Sequence, residues 1–191
     1  MSSQPLRTFE SMHKRAESTL VLADGRVFRG RGFGASRTVI GEVVFNTAIT
    51  GYQEILTAPS YCGQLVCMTQ PHIGGYGVND EDVESRDGRI WASGLIVREL
   101  SEVHSNRRAR MGLAEYLENQ GACGITGLDT RALTRHIRDQ GAMVGAIASA
   151  DTSVDALLAE IGCWGSMQGK SLVAAVSCDT PYRIDAIGTE K

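Results

Sequence analysis

The side chains able to do chemistry crowd into residues 41–79, GEVVFNTAITGYQEILTAPSYCGQLVCMTQPHIGGYGVN. Asn46, Tyr52, Gln53, Glu54, Ser60, Tyr61, Gln64 and His72 lie there between short apolar runs. Polar residues this dense make either a binding surface or a tightly wired loop. Ser60 follows Pro59, so its backbone is restrained. Its hydroxyl can close a local turn, the commoner role of such a serine. It can also be held at the surface as a hydrogen-bond partner. Cys62 and Cys67 lie close to His72 in sequence, as a thiol and base would for nucleophilic catalysis. Core thiols beside a loop histidine are the commoner outcome of such a pattern.

Other chemistries find no pattern. His13, His72, His104 and His136 are scattered, with no H-x-x-x-H or H-x-H spacing, and the five cysteines contain no C-x-x-C, so no metal site is expected. There is no G-x-x-x-x-G-K-[ST] phosphate loop, and GRGFGAS (30–36) reads as turn chemistry. A triad glutaminase needs a cysteine elbow of the type G-x-C-x-G and a histidine followed at plus two by glutamate. Neither is present. Arg131, Arg135 and Arg138 fall at i, i+4 and i+7 of DTRALTRHIR. They line one helical face, either solvated or docking an acidic partner.

These residues must be positioned by a mixed framework. STLVLADGRVFRGRGFG (18–34) places Asp24-Gly25 between two β-rich runs, a hairpin signal. Further strands are expected at 38–47, 63–69 and 90–100, with Gly94 at a bulge or close contact. Residues 51–61 are expected to be irregular with one helical turn. SNRRARMGLAEYLENQG (105–121) predicts a helix capped by Ser105 or Asn106, its basic start solvated. A strand at 122–128 follows. A helix at 129–141 is capped by Asp129 and ended by Gly141. A strand at 142–149, a helix at 151–162 and a last strand at 170–178 complete the series. The N-terminal half is strand-rich and the C-terminal half alternates β and α. Helices on one side of layered sheets are expected.

Composition sets the outer limits. Net charge is −3 over 191 residues, against a broad nucleic-acid surface. No apolar run reaches the roughly 18 residues of a membrane helix. An odd cysteine count fits reduced thiols in a cytoplasmic protein. Residues 1–18 have no apolar signal core and read as a flexible extension.

The stretch GEVVFNTAITGYQEILTAPSY, with PHIGGYGVN, GLIVREL and LDTRALTRHIR, resembles the N-terminal domain of the small chain of glutamine-dependent carbamoyl-phosphate synthetase. The resemblance covers residues 19–180. It implies an α/β fold, a three-layer β/β/α domain. It also implies that residues 181–191 begin a linker to a glutaminase domain. The partners implied are the large chain, that glutaminase domain in cis or in trans, and glutamine. ATP and Mg would act on the large chain, with no cofactor on this one. Carbamoyl phosphate would feed arginine and pyrimidine synthesis. The serine of the PSY segment, here Ser60, is implied to reach the glutamine site. Because the nucleophilic cysteine and its partners are absent from these 191 residues, the chain by itself is expected not to hydrolyse glutamine. The competing expectation is a non-catalytic module that binds a synthetase large chain and regulates it.

Overall fold

The structure is a computed structural model, and it describes residues 16–178, 180, 181 and 183. The Asp24-Gly25 hairpin forms as expected. β1 (Glu17–Leu22) and β2 (Val27–Gly34) pair antiparallel, with Val21 opposite Val27. Gly25 takes a φ of 85°, and Asp24 Oδ1 accepts from the Arg26 amide at 3.0 Å. β3 (Val39–Asn46), β4 (Gln64–Met68), β6 (Gly94–Val97) and β8 (Cys123–Thr126) form a parallel wall. β9 (Met143–Ser149) joins β1 and β2 in an antiparallel wall. The two walls close into one barrel in the order β1-β2-β8-β6-β4-β3-β9. A separate pair, β5 (His72–Ile73) and β7 (Glu99–Leu100), lies beyond the ends of β4 and β6. The mixed α/β composition therefore holds, while closure of the sheet goes beyond the layered expectation.

Strand alternation produces three cores. Leu20, Leu22, Val43, Leu65, Cys67, Ile96, Ile125 and Ile147 point into the barrel. Val66, Met68, Leu95 and Val97 point outward from the parallel wall, so those strands are buried on both faces, as parallel strands require. They pack under α1 (Tyr52–Thr57) and α2 (Leu113–Asn119). Val21, Val144, Ala146 and Ala148 point outward from the other wall and pack under α4 (Val154–Trp164). Helices thus cover different walls, not one side, because both outer faces are apolar. α3 (Thr130–Gln140) inserts Leu133 and Ile137 into the barrel core. Asp129 caps it by accepting from the Ala132 amide at 2.9 Å, and Gly141 ends it at φ 93°, both as the sequence predicts. His136 of α3 ties to Asp24 at 2.6 Å.

Four expectations need correction. The helix begins at Leu113 and not near Asn106. Asn106 instead closes a turn, its Oδ1 accepting from the Arg108 amide at 3.1 Å. The basic run does not solvate a helix start. Arg108 pairs with Glu81 and Asp82 at 3.0 and 3.1 Å, and Arg110 with Asp80 at 3.2 Å. The apolar run at 170–178 forms no strand but a short helix, α5 (Val173–Val176), because the barrel has already closed and leaves no free edge. The continuous strand at 90–100 is split, with β6 ending at Val97 and β7 starting at Glu99. Of the extension at 1–18, residues 1–15 lie outside the described residues, and Glu17 and Ser18 already belong to β1. Of the linker at 181–191, residues 182 and 184–191 lie outside them as well.

Candidate functional site

Most of the polar residues in 41–79 are wired to one another. Gln53 is 1% exposed. Its Nε2 donates to the Asn79 carbonyl at 2.5 Å and its Oε1 accepts from the Asn79 amide at 2.9 Å. One buried side chain thereby satisfies both backbone groups of a loop residue that no strand pairs. The Tyr52 and Tyr76 rings stack at 4.2 Å and 17°. Tyr52 donates to the Gly77 carbonyl at 2.6 Å, and Tyr76 accepts from the Gly51 amide at 2.7 Å. Burial, with the neighbouring Tyr76, pushes the Tyr52 phenol well above its ordinary pKa, so it stays a donor. Gly77, at φ 69°, packs against Met111 and His104, where a side chain would collide with the Met111 carbonyl. Asn79 Oδ1 then accepts from the amides of Glu81 and Asp82, turning the chain toward the arginines above.

This network braces the turn that carries Ser60. α1 runs into a single 3₁₀ turn, Pro59–Tyr61. Thr57, fully buried, donates to the Gln53 carbonyl and accepts from the Glu84 amide, both at 2.9 Å. The Tyr61 amide donates to Ala58 at 3.0 Å and the Cys62 amide to Pro59 at 3.1 Å. Tyr61 Oη accepts from Asn46 Nδ2 at 2.8 Å, tying the turn to the end of β3. Gly63, at φ 79°, then swings the chain into β4. Ser60 itself is exposed. Its neighbours are fixed on both sides, yet among the described residues its hydroxyl bonds to none. The local turn closed by its side chain, expected on physical grounds, does not form. Beside Pro59 lies a cavity of about 610 Å³ bordered by Glu84, Asp87, Arg89, Trp91 and Ser177. The Arg89 guanidinium sits 3.6 Å over the Trp91 ring.

The thiol and imidazole of the other sequence-level candidates do not come together. Cys67 lies inside the barrel with its Sγ 4.0 Å from Thr134 Oγ1, and burial pushes its thiol up to about 12. A thiol held protonated is a poor nucleophile. His72 is exposed and faces Glu99 at 3.5 Å. Among the described residues no cysteine sulfur has a histidine partner, and no group of three His, Cys, Asp or Glu could hold a metal ion. No described helix is long and apolar enough to cross a membrane. Arg131, Arg135 and Arg138 all lie exposed on α3. The pairing of 80–82 with 108–110 was not foreseen. The opposite charge of the two runs, NDED and RRAR, was the available signal.

A comparison with protein families matches residues 20–147 to "Carbamoyl-phosphate synthase small chain, CPSase domain". Among curated relatives, the carbamoyl phosphate synthase small chain of Syntrophotalea carbinolica is 53% identical over 166 residues, covering 87% of this chain and 44% of its own length. That of Synechococcus sp. is 52% identical over 172 residues, covering 90% of this chain and 44% of its own. The chloroplastic small chain of Oryza sativa subsp. japonica is 47% identical and covers 88% and 37%. The chain thus spans less than half the length of these relatives. Among solved structures, an aminopeptidase from Aneurinibacillus sp. strain AM-1 covers 71% of this chain and 31% of its own, with a TM-score of 0.38 and 15% identity, too partial a likeness to bear on fold or function.

Proposed function

Because the chain belongs to the carbamoyl-phosphate synthase small-chain family, we propose that it serves as the N-terminal part of the small chain of a glutamine-hydrolysing carbamoyl-phosphate synthase. In this reading it supports assembly with a large chain. It also helps supply that chain with ammonia from glutamine for arginine and pyrimidine synthesis. ATP and Mg belong to the large chain, and no cofactor is assigned to the residues described here. The family match carries the proposal.

Ser60 is the residue proposed to touch glutamine. Its exposed hydroxyl, unpartnered among the described residues, stands on a turn flanked by Thr57 and Tyr61, whose hydroxyls are both hydrogen-bonded. A ligand there finds a hydroxyl that is already positioned, so little ordering entropy is lost on binding. One hydroxyl supplies neither nucleophile, base nor oxyanion hole, so the chemistry of amide cleavage lies with a glutaminase domain in cis or in trans.

The test is Ser60→Ala in the assembled enzyme, assayed with both nitrogen donors. Glutamine-dependent synthesis should weaken by about 0.5–1.5 kcal/mol of transition-state stabilisation, the worth of one hydrogen bond, while ammonia-dependent synthesis is unchanged. Equal loss with both donors would assign Ser60 to folding or assembly instead.

A further inference from the structure

Past α4 the chain doubles back over the turn that carries Ser60. Gly165 ends α4 at φ 73°. Lys170 folds over the helix end, its Nζ donating to the Trp164 carbonyl at 2.7 Å and standing 3.0 Å over the Trp164 ring. The Lys170 amide closes the intervening turn on the Met167 carbonyl at 3.0 Å. α5 follows, with Leu172 and Val176 four apart and therefore on one face. Met167, Leu172 and Val176 are half-buried, whereas Val173 is 70% exposed. The three half-buried side chains reach both flanks of the Ser60 turn. After the turn, a Cβ placed on Gly63 would lie 3.3 Å from Met167 Sδ and 3.5 Å from Leu172 Cδ1. Before it, Val176 and Pro59 border the same cavity of about 610 Å³. Residues 167–176 thus form a strap along Pro59–Gly63, with Ser60 between the two flanks.

The strap adds no strand to the barrel, which closes without it. It lies on the turn through apolar side chains, and bonds that shape it, such as that of the Val176 amide to the Leu172 carbonyl at 3.1 Å, are internal. A segment held by a few half-buried apolar contacts opens at low free-energy cost. We propose that this strap positions Ser60 for glutamine, with Met167 and Leu172 as positioning residues that act through the turn. The inference rests on the assignment of Ser60 made above. Seated, the strap holds Gly63 and with it the far side of the turn. Lifted, it frees the turn, and the serine hydroxyl must be ordered anew when glutamine binds, which weakens binding. Glutamine use therefore depends on the strap, while synthesis from ammonia does not.

The experiment compares Leu172→Ala, Met167→Ala and the exposed control Val173→Ala in the assembled enzyme. Each is made with and without Ser60→Ala and assayed with glutamine and then with ammonia as nitrogen donor. Leu172→Ala and Met167→Ala should each raise KM for glutamine by up to about tenfold, the range set by one hydrogen bond. Their kcat at saturating glutamine and their ammonia-dependent synthesis should be unchanged. Val173→Ala should alter neither donor. Leu172→Met, which keeps an apolar side chain of similar volume, should keep the parent KM. In the Ser60→Ala background Leu172→Ala should have no further effect, because the group through which it acts is gone. Equal loss with both donors, or a strap effect that adds in full to that of Ser60→Ala, overturns the proposal and assigns the strap to folding, with Ser60 left in place. A parent KM in both strap variants overturns it as well. If Ser60→Ala itself leaves glutamine use unchanged, the assignment of Ser60 falls and this inference with it.

Discussion

At the scale of single residues, two side chains with nearly the same sequence context do opposite work. Gln53 and Ser60 both sit in the polar stretch after β3, yet Gln53 is sealed inside and Ser60 is exposed. Replacing Gln53 with leucine keeps the volume but orphans the Asn79 amide and carbonyl, at about 1–3 kcal/mol for each group left buried without a partner. Denaturant unfolding of Gln53→Leu should therefore show a lower midpoint at unchanged slope, and an unaltered midpoint would show that water replaces the amide. The presence of Ser60 was legible in sequence, but its freedom was not. Local hydroxyl-to-backbone bonding was the favoured reading. It fails because the backbone amides of the turn are already used by Ala58 and Pro59.

At the scale of elements, α3 was the most legible. Its cap, its buried pair and its terminal glycine are all local signals, and the structure keeps them all. What the sequence hid was its anchor. Burial acts to raise the Asp24 pKa, but bonds from the Arg26 amide and His136, with their positive charge, outweigh it and hold the carboxyl below its ordinary value. A carboxylate with a lowered folded pKa adds stability above its unfolded pKa, and that share is lost as pH falls through the folded value. Asp24→Asn should thus be less stable than the parent at neutral pH, and the gap should close below about pH 4. Urea midpoints taken across that range check it, and a constant gap would assign the effect to packing. The helix at 105–121 was over-read for the converse reason. Its first residues have local helix signals, but their arginines find carboxylates at 80–82, far away in sequence.

At the scale of the whole molecule, closure depends on small residues at the seam. Gly145 of β9 stands in register with Gly41 of β3 and Leu22 of β1. A Cβ there would lie 2.7 Å from Val43 Cγ2 and 3.1 Å from the Val21 carbonyl. Gly145→Val should overpack the barrel and cost about 1–3 kcal/mol, read as a lower unfolding midpoint. An unshifted midpoint would mean that the seam opens freely. The sequence by itself determined most of the barrel strands, the Asp129-capped helix, the hairpin and the family, because each rests on local periodicity, turn chemistry or long ordered motifs. Only the tertiary structure decided that the sheet closes and that both outer walls are covered. It likewise decided that Cys67 is sealed from His72 and that, among the described residues, the Ser60 hydroxyl has no partner. Those outcomes depend on which distant groups meet. Contacts such as Gln53 with Asn79, or His136 with Asp24, leave no mark in the spacing of either partner.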